Sequence, residues 1–189
     1  MLDQDLRYVG DYISRLTEVL TDTPRDVMVE IVSTLRKARE DGQRVFVFGN
    51  GGSAATASHM ACDLGKNTRI SGRPRLRIIC LNEGIPTMTA YANDEGYENV
   101  FSEPLLSLAE RGDVAIAISG SGNSPNVLKG VQIAKGLELK TVGLTGFEGG
   151  KLKDMVDTCL VVPSDSMEQI EDVHLIVNHI LTGLLRGMN

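Results

Sequence analysis

The sequence has no tryptophan, and only four tyrosines and four phenylalanines occur among its 189 residues. Proteins that bind single-stranded nucleic acid stack the bases on aromatic side chains, so this scarcity of rings argues against that class. The formal net charge of −6 argues against non-specific nucleic-acid binding as well, because such binding needs a basic face. A small anionic ligand is still compatible with this charge, since backbone amides and a few cations can hold a phosphate.

Cysteine is also scarce. The three cysteines, Cys62, Cys80 and Cys159, are odd in number and far apart, which is typical of buried thiols in a reducing compartment. No apolar run approaches the ~20 residues of a membrane-spanning helix. Residues 1–5 carry no basic segment, so we expect no signal peptide. We therefore expect a cytoplasmic protein with neither a membrane nor a nucleic acid as partner.

The pattern of apolar residues predicts a single α/β domain over residues 1–189. Five short apolar runs lack alternation, which is typical of strands covered on both faces. These runs lie at 45–48, 77–81, 114–118, 141–144 and 159–162. Predicted helices lie at 3–20, 25–41, 53–65, 85–93, 98–111, 125–136 and about 168–185. The alternation of strands and helices from residue 42 onward predicts a parallel sheet with right-handed crossovers.

A glycine-rich segment, Gly-Asn-Gly-Gly-Ser-Ala-Ala at residues 49–55, follows the first predicted strand directly. In open parallel sheets, ligands bind beyond the carboxyl ends of the strands. Glycine lets the backbone approach a ligand closely, and the start of the next helix offers unpaired N–H groups to an anion. A plain strand-to-helix turn is the alternative interpretation. The dinucleotide pattern G-x-G-x-x-G is not met, because Ala54 stands at the third glycine position.

A serine-rich loop, Ser-Gly-Ser-Gly-Asn-Ser at residues 119–124, follows the third predicted strand. It offers three hydroxyl groups and a series of backbone amides. Ser124 is a good N-cap and Pro125 a good first helical residue, so the positive end of a helix dipole should face the loop. The sequence therefore predicts a phosphate site that needs no lysine, with a flexible surface turn as the alternative.

Two polar pairs lie on the predicted crossover helices. His59 and Asp63 are spaced i,i+4 and therefore share a helix face, where they could act as metal ligands or as a base with its orienting partner. An ordinary surface pair is the alternative. Asn93 and Asp94 follow the second strand and could contact sugar hydroxyls, or could simply end a helix.

The last predicted helix carries several polar groups, among them Glu171 and His179. Eight residues of helix rise about 12 Å, so these two side chains cannot easily bind one metal ion from the same straight helix. Either Glu171 precedes the helix proper, or the two residues serve a site from different subunits. For a lone histidine on an apolar helix, burial with a hydrogen bond is the common alternative.

Taken together, these motifs resemble the phosphoheptose isomerases of the SIS (sugar isomerase) family. The similarity runs in order and spacing over about residues 40–185. It rests on the glycine-rich segment, His59, Ala92-Asn93-Asp94, the stretch 118–128, Val142-Gly143-Leu144-Thr145-Gly146, Val173-His174 and His179-Ile180-Leu181. The resemblance implies a flavodoxin-like three-layer sandwich with five parallel strands. It also implies a homotetramer, with residues 1–41 used in oligomerisation and residues 42–189 forming the sugar-phosphate-binding core.

The resemblance further implies an aldose–ketose isomerase that converts sedoheptulose 7-phosphate to D-glycero-D-manno-heptose 7-phosphate. Active sites would lie at subunit interfaces. The substrate-binding residues it implies are Asn50, Gly51, Gly52, Ser53, Asn93, Asp94, Ser119, Gly120, Ser121, Ser124 and Glu171. A zinc ion would lie between His59, Asp63, Glu171 and His179. For the proton transfer we expect Asp63 as the base and His179 as the acid.

Three positions depart from the family pattern. The family usually has Glu at position 63, Gln at position 171 and Thr at position 120, whereas this chain has Asp63, Glu171 and Gly120. The shorter Asp63 reaches less far, and Glu171 adds a negative charge that suits a divalent cation. Two other functions therefore stay open: an isomerase of another phosphosugar, and a non-catalytic SIS module that binds a sugar phosphate or a protein such as a replication initiator. Retention of both histidines favours an enzyme.

Overall fold

The computed structural model describes residues 2–187. Two helices, α1 (Leu2–Asp22) and α2 (Arg25–Glu40), precede a region in which strands and helices alternate. The strands are β1 (Arg44–Gly49), β2 (Arg77–Cys80), β3 (Val114–Ile118), β4 (Lys140–Thr145) and β5 (Thr158–Val161). The remaining helices are α3 (Gly52–Cys62), α4 (Ile85–Asp94), α5 (Ser102–Leu108), α6 (Pro125–Gly136), α7 (Gly150–Met155) and α8 (Met167–Arg186).

All strand pairs are parallel, and the sheet order is β2-β1-β3-β4-β5. This is the flavodoxin-like order, so the predicted fold class is confirmed. Successive strands are placed towards one edge of the sheet up to β2 and towards the other edge from β3 onward, so the strand order reverses between β1 and β3. These two strands pair from Val45 with Val114 to Gly49 with Ile118. Ligands of such sheets bind in the crevice at this reversal point. The glycine-rich segment and the serine-rich loop both begin there.

Two apolar layers cover the sheet, one on each face. Val45 and Val47 of β1 pack into the layer with α2, α3 and α8, whereas Phe46 and Phe48 pack into the layer with α5, α6 and α7. Because both faces are covered, the inner residues of the strands are mostly apolar on either side, which explains the runs without alternation. Helix α2 is part of this core through residues such as Ile31, whereas α1 buries none of its side chains.

Three helix predictions differ from the structure. The helix expected at 98–111 is a 3₁₀ turn at Tyr97–Asn99 followed by the short α5, because Pro104 fits only near the start of a helix. The helix expected at 53–65 ends at Cys62 and continues as a π-helical turn, Asp63–Asn67. Helix α7 was not predicted, since six residues are too few to show a helical period. Within residues 2–187, no helix has the length and apolar character needed to cross a membrane.

Candidate active site

Glycine at position 49 brings the ends of β1 and β3 together. A β-carbon on Gly49 would stand 2.7 Å from the carbonyl oxygen of Ile118 and 2.8 Å from the β-carbon of Ser53. No larger residue fits between backbone groups this close. Gly51, with φ of +55°, then turns the chain into α3. The glycine-rich segment therefore lies beside the start of the serine-rich loop, as the sequence predicted.

The side chain of Asn50 is fixed by three hydrogen bonds. Its amide donates to Oδ1 of Asn126 over 2.8 Å, and the Asn126 amide donates back to Oδ1 of Asn50 over 2.9 Å. The hydroxyl of Tyr97 donates to the same oxygen of Asn50 over 3.0 Å. Asn126 is buried at the start of α6, so this amide pair joins the two loops. Sequence reasoning did not identify Asn126 or Tyr97 as site residues.

The serine-rich loop is folded around two facing hydroxyl groups. The hydroxyl oxygens of Ser119 and Ser124 are 3.1 Å apart, and Ser119 is buried. Gly120 lies between them in sequence, and its carbonyl accepts from the backbone N–H of Gly146 over 2.9 Å. Ser124 occupies the N-cap position of α6 as expected, but within the described residues its hydroxyl makes no capping bond. The N–H groups at the start of α6 are therefore available to an anion.

The side chains of His59, Asp63 and His179 form a compact cluster. The Nε2 atoms of the two histidines are 3.4 Å apart. Oδ2 of Asp63 lies 3.2 Å from Nε2 of His59 and 3.6 Å from Nε2 of His179. Both imidazoles are exposed, whereas Asp63 is buried. The structure therefore brings a residue of α8 to the pair on α3 that the i,i+4 spacing had predicted.

Two amides hold the carboxylate of Asp63 in place. Asn67 donates to Oδ1 and Asn178 donates to Oδ2, each over 3.0 Å. Asp63 begins the π-helical turn, a distortion that is frequent at functional sites and that here carries Asn67 to the same carboxylate. Neither asparagine was predicted as a site residue, because their roles depend on the turn and on packing between helices.

The cluster has the chemistry and the spacing of a zinc site. Two imidazoles and one carboxylate form an N/O donor set of the kind that catalytic zinc uses with three protein ligands and one open position. Zn–N distances of 2.0–2.1 Å at tetrahedral angles would put neighbouring donor atoms about 3.4 Å apart. The separations of 3.2, 3.4 and 3.6 Å in the cluster match that value. The three residues therefore fit a zinc ion.

Glu171 lies elsewhere in the chain's own structure. It belongs to α8, so the alternative that it precedes the helix proper is wrong. Its carboxylate packs against Gly52 at the start of α3, and within residues 2–187 the group of potential metal ligands comprises His59, Asp63 and His179 without it. Glu171 thus meets the glycine-rich segment, and its role as a metal ligand stays a prediction.

The other predicted substrate-binding residues fall into two groups. Ser53, in the first turn of α3, is buried, and Ser121 accepts from the backbone N–H of Asn123 over 3.2 Å within the serine-rich loop. Asn93 and Asp94 end α4 on the surface, where the Asn93 amide donates to the Asp94 carboxylate over 2.7 Å. Their contact with a substrate stays a prediction.

The parallel sheet with the serine-rich loop at its reversal point defines the class of protein. The chain matches the SIS domain over residues 8–146, and it is therefore a SIS-domain protein. It is 42% identical over 157 residues to a phosphoheptose isomerase from Helicobacter pylori, a match that covers 83% of this chain and 81% of that protein. A phosphoheptose isomerase from Chlorobaculum parvum is 37% identical, with 94% and 86% covered.

A solved structure agrees with these relatives. The phosphoheptose isomerase of Neisseria gonorrhoeae superimposes with a TM-score of 0.91 at 27% identity, and all of both chains is covered. Within the SIS-domain proteins, the chain belongs to the phosphoheptose isomerase family. The resemblance inferred from the sequence motifs is thus confirmed.

Proposed function

We propose that the protein is an aldose–ketose isomerase that converts sedoheptulose 7-phosphate to D-glycero-D-manno-heptose 7-phosphate. The cluster of His59, Asp63 and His179 is the observation that carries this proposal, because a protein that only binds sugar phosphate does not need it. The family relatives, which are named phosphoheptose isomerases, support the choice of substrate.

The phosphate end of the substrate would bind at the serine-rich loop. Ser119, Ser121 and Ser124 offer hydroxyl groups, and the start of α6 offers backbone N–H groups and the positive end of its dipole. Asn50 and the glycine-rich segment, on the other side of the reversal point, would contact sugar hydroxyls. Binding at this remote phosphate serves to orient the reacting carbons.

Proton transfer would take place at the other end of the substrate. An aldose–ketose isomerase moves a proton between two adjacent carbons through an enediol, and it needs a base and an acid. Asp63, held by Asn67 and Asn178, is the proposed base, and the exposed His179 is the proposed acid. His59 lies seven residues beyond Gly52, or about 10 Å of helix, which leaves room for a sugar chain.

A zinc ion, when bound, would polarise the substrate oxygens, with His59, Asp63 and His179 as its ligands. Glu171 would act as a fourth ligand only from another subunit, because in its own chain it packs against Gly52. Bound metal would also fix the two imidazoles, which otherwise meet edge to face on the surface.

A homotetramer with active sites at subunit interfaces would supply that second subunit. Helix α1 supports this assembly, because the apolar residues of its N-terminal part are exposed and recur at helical spacing. They include Leu2, Leu6, Val9 and Ile13. An apolar stripe of this kind is removed from water only when it packs against another chain. We further propose that the protein acts in the cytoplasm, where a phosphorylated sugar would be met.

Conversion of sedoheptulose 7-phosphate can be followed by NMR with the purified protein, with and without a chelator. The parent should isomerise the sugar, and Asp63→Asn and His179→Ala should each lower turnover by about 10²- to 10⁴-fold while leaving the fold intact. Cys62→Ser, next to Asp63 but outside the cluster, is the matched control and should retain activity. Normal turnover in both cluster variants would overturn the assignment of Asp63 and His179 as catalytic residues. If the parent converts no sugar under any metal condition, the proposal that the protein is an isomerase is wrong.

A further inference from the structure

A cluster of positive charge lies at the opposite end of the sheet from the serine-rich loop, where α2 and α8 both end. A cavity of about 150 Å³ opens there, and three arginines line it: Arg36 and Arg39 of α2, and Arg73 of the segment before β2. Among residues 2–187, Glu40 is the one acidic residue in its lining. In a chain whose net charge is −6, this is a local excess of positive charge.

Arg39 is the central group of this cavity. It is only 4% exposed, and its Nη1 donates to the carbonyl oxygen of Leu185 over 3.1 Å. Its Nε and Nη2 are also buried, but they have no hydrogen-bond partner within the described residues. A buried charged donor without a partner costs free energy, so such groups are normally satisfied by an acid, an anion or water.

The neighbouring charges favour an anion. Burial lowers the pKa of Arg39, the nearby charges of Arg73 and Arg36 lower it further, and only Glu40 opposes them. Arg36 also donates to the carbonyl oxygen of Leu184 over 3.0 Å, so two of the arginines are fixed on the last turn of α8. An oxyanion would satisfy the unpaired fork of Arg39 and offset the repulsion among the three guanidinium groups.

We propose that Arg36, Arg39 and Arg73 form a binding site for a small oxyanion, of the phosphate class, separate from the proposed active site. The guanidinium fork of Arg39 suits two oxygens of one phosphate. Pockets for drug-sized ligands measure about 300–1,000 Å³, so a cavity of about 150 Å³ accepts a phosphate group but not a whole sugar phosphate. The ligand is therefore inorganic phosphate or a phosphoryl group whose remainder lies in solvent.

The test measures the unfolding temperature of the full chain in inorganic phosphate and compares it with the unfolding temperature in chloride at the same ionic strength. A ligand that binds only the folded state raises the unfolding temperature as its concentration exceeds its Kd. The serine-rich loop is removed from the measurement by using Ser121→Ala/Ser124→Ala as the background. In that background, phosphate should still raise the unfolding temperature more than chloride does.

Arg73→Met in the same background should weaken phosphate binding about tenfold or more, since it removes one charged hydrogen-bonding group. Arg73 is exposed, so its loss should leave the fold intact. Arg75→Met, two residues away, exposed and outside the cavity, is the matched control and should bind like the background. Phosphorylated and unphosphorylated forms of one small alcohol, compared with free phosphate, distinguish a phosphoryl metabolite from inorganic phosphate.

Either of two results would overturn the site. One is a phosphate effect no larger than that of chloride, which would mean that water alone fills the cavity. The other is an equal loss of binding in Arg73→Met and Arg75→Met, which would mean that general surface charge attracts the anion. Neither result depends on isomerase activity, so the failure of this site is distinguishable from the failure of the proposed function.

Discussion

The carboxylate of Glu171 packs on Gly52, with both oxygens 2.5 Å from the position that a β-carbon on Gly52 would take. This contact joins α8 to the first turn of α3, where unpaired N–H groups favour negative charge. The missing side chain at position 52 is what leaves room for the acid. Gly52 and Glu171 therefore form one structural unit, although they are 119 positions apart in the sequence.

Gly52→Ala should lower activity without unfolding the protein. The new methyl group would displace the Glu171 carboxylate, which is the mobile end of a flexible side chain, so we expect the free energy of unfolding to stay within about 1 kcal/mol of the parent. We expect kcat/KM to fall about 10- to 100-fold, because a misplacement of the bound substrate by about 1 Å has an effect of that size even when the substitution lies far from the chemistry. Steady-state kinetics and urea unfolding on the same preparation measure both quantities.

Gly183→Ala is the matched control for this substitution. Gly183 lies in α8, and among residues 2–187 no atom outside its own stretch of helix lies within 4 Å of the position its β-carbon would take. Alanine there should keep full activity and stabilise the helix by about 0.5–1 kcal/mol. If Gly52→Ala is as active as Gly183→Ala, the contact between Gly52 and Glu171 has no part in the reaction.

Asn126→Asp should break the amide pair that fixes Asn50. The aspartate retains an acceptor for the Asn50 amide but loses the donor to Oδ1 of Asn50. It also places a buried negative charge beside the phosphate site. We expect KM for the phosphosugar to rise more than tenfold and the free energy of unfolding to fall by about 1–3 kcal/mol.

Tyr97→Phe tests how much the hydroxyl of Tyr97 contributes to holding Asn50. It removes the third hydrogen bond to Asn50 but leaves both bonds between the amides intact. KM should therefore change less than in Asn126→Asp. An equal rise in KM in both variants would mean that the hydroxyl of Tyr97, rather than the amide pair, controls Asn50.

The sequence predicted the fold well, because the sheet is covered on both faces and the inner residues of its strands therefore form short apolar runs without alternation. The serine-rich loop was found for the same reason, since a polar segment directly after such a run stands out. His59 and Asp63 were found through their i,i+4 spacing on one helix. Local patterns of this kind can be recognised from the sequence alone.

What the sequence could not show depends on packing between distant elements. Asn178 reaches Asp63 across 115 positions, and Asn126 reaches Asn50 across 76. The π-helical turn that carries Asn67 to Asp63 has no apolar period of its own. The position of Glu171 against Gly52 likewise depends on how α8 crosses α3. No local motif records these contacts.

Stability should decrease in mild acid because of His174. Burial lowers the pKa of this histidine to about 4, although its hydrogen bond to the carbonyl oxygen of Thr145 partly opposes the shift. Above pH 6.5 the folded and unfolded chains both hold it neutral. As the pH falls from 6.5 towards 4, only the unfolded chain takes up the proton, so the folded state loses about 1.4 kcal/mol per pH unit and about 3 kcal/mol in all.

Urea unfolding at several pH values between 4 and 7 measures this loss, with His174→Gln as the comparison. The glutamine cannot be protonated, so the part of the slope due to His174 should disappear, even if the variant is less stable throughout. Identical slopes in the parent and in His174→Gln would show that other groups cause the acid sensitivity.

The side chain of Met167 lies where a β-carbon on Gly120 would stand, with its sulfur as the nearest atom. This explains how the serine-rich loop tolerates glycine where the family usually has threonine: the first residue of α8 fills the space. Gly120→Thr alone should therefore overpack the loop and lower the free energy of unfolding by about 1–3 kcal/mol. Urea unfolding measures this change.

Gly120→Thr/Met167→Ala should recover most of that stability, because the methionine no longer occupies the space. The double variant would also add a hydroxyl beside the phosphate, and a hydrogen bond to a charged group should lower KM for the phosphosugar about tenfold. Met167→Ala alone is the control, and its KM should stay near that of the parent because it adds no donor. If the single Gly120→Thr variant is already as stable as the parent, Met167 does not hold this position, and the glycine in the loop needs another explanation.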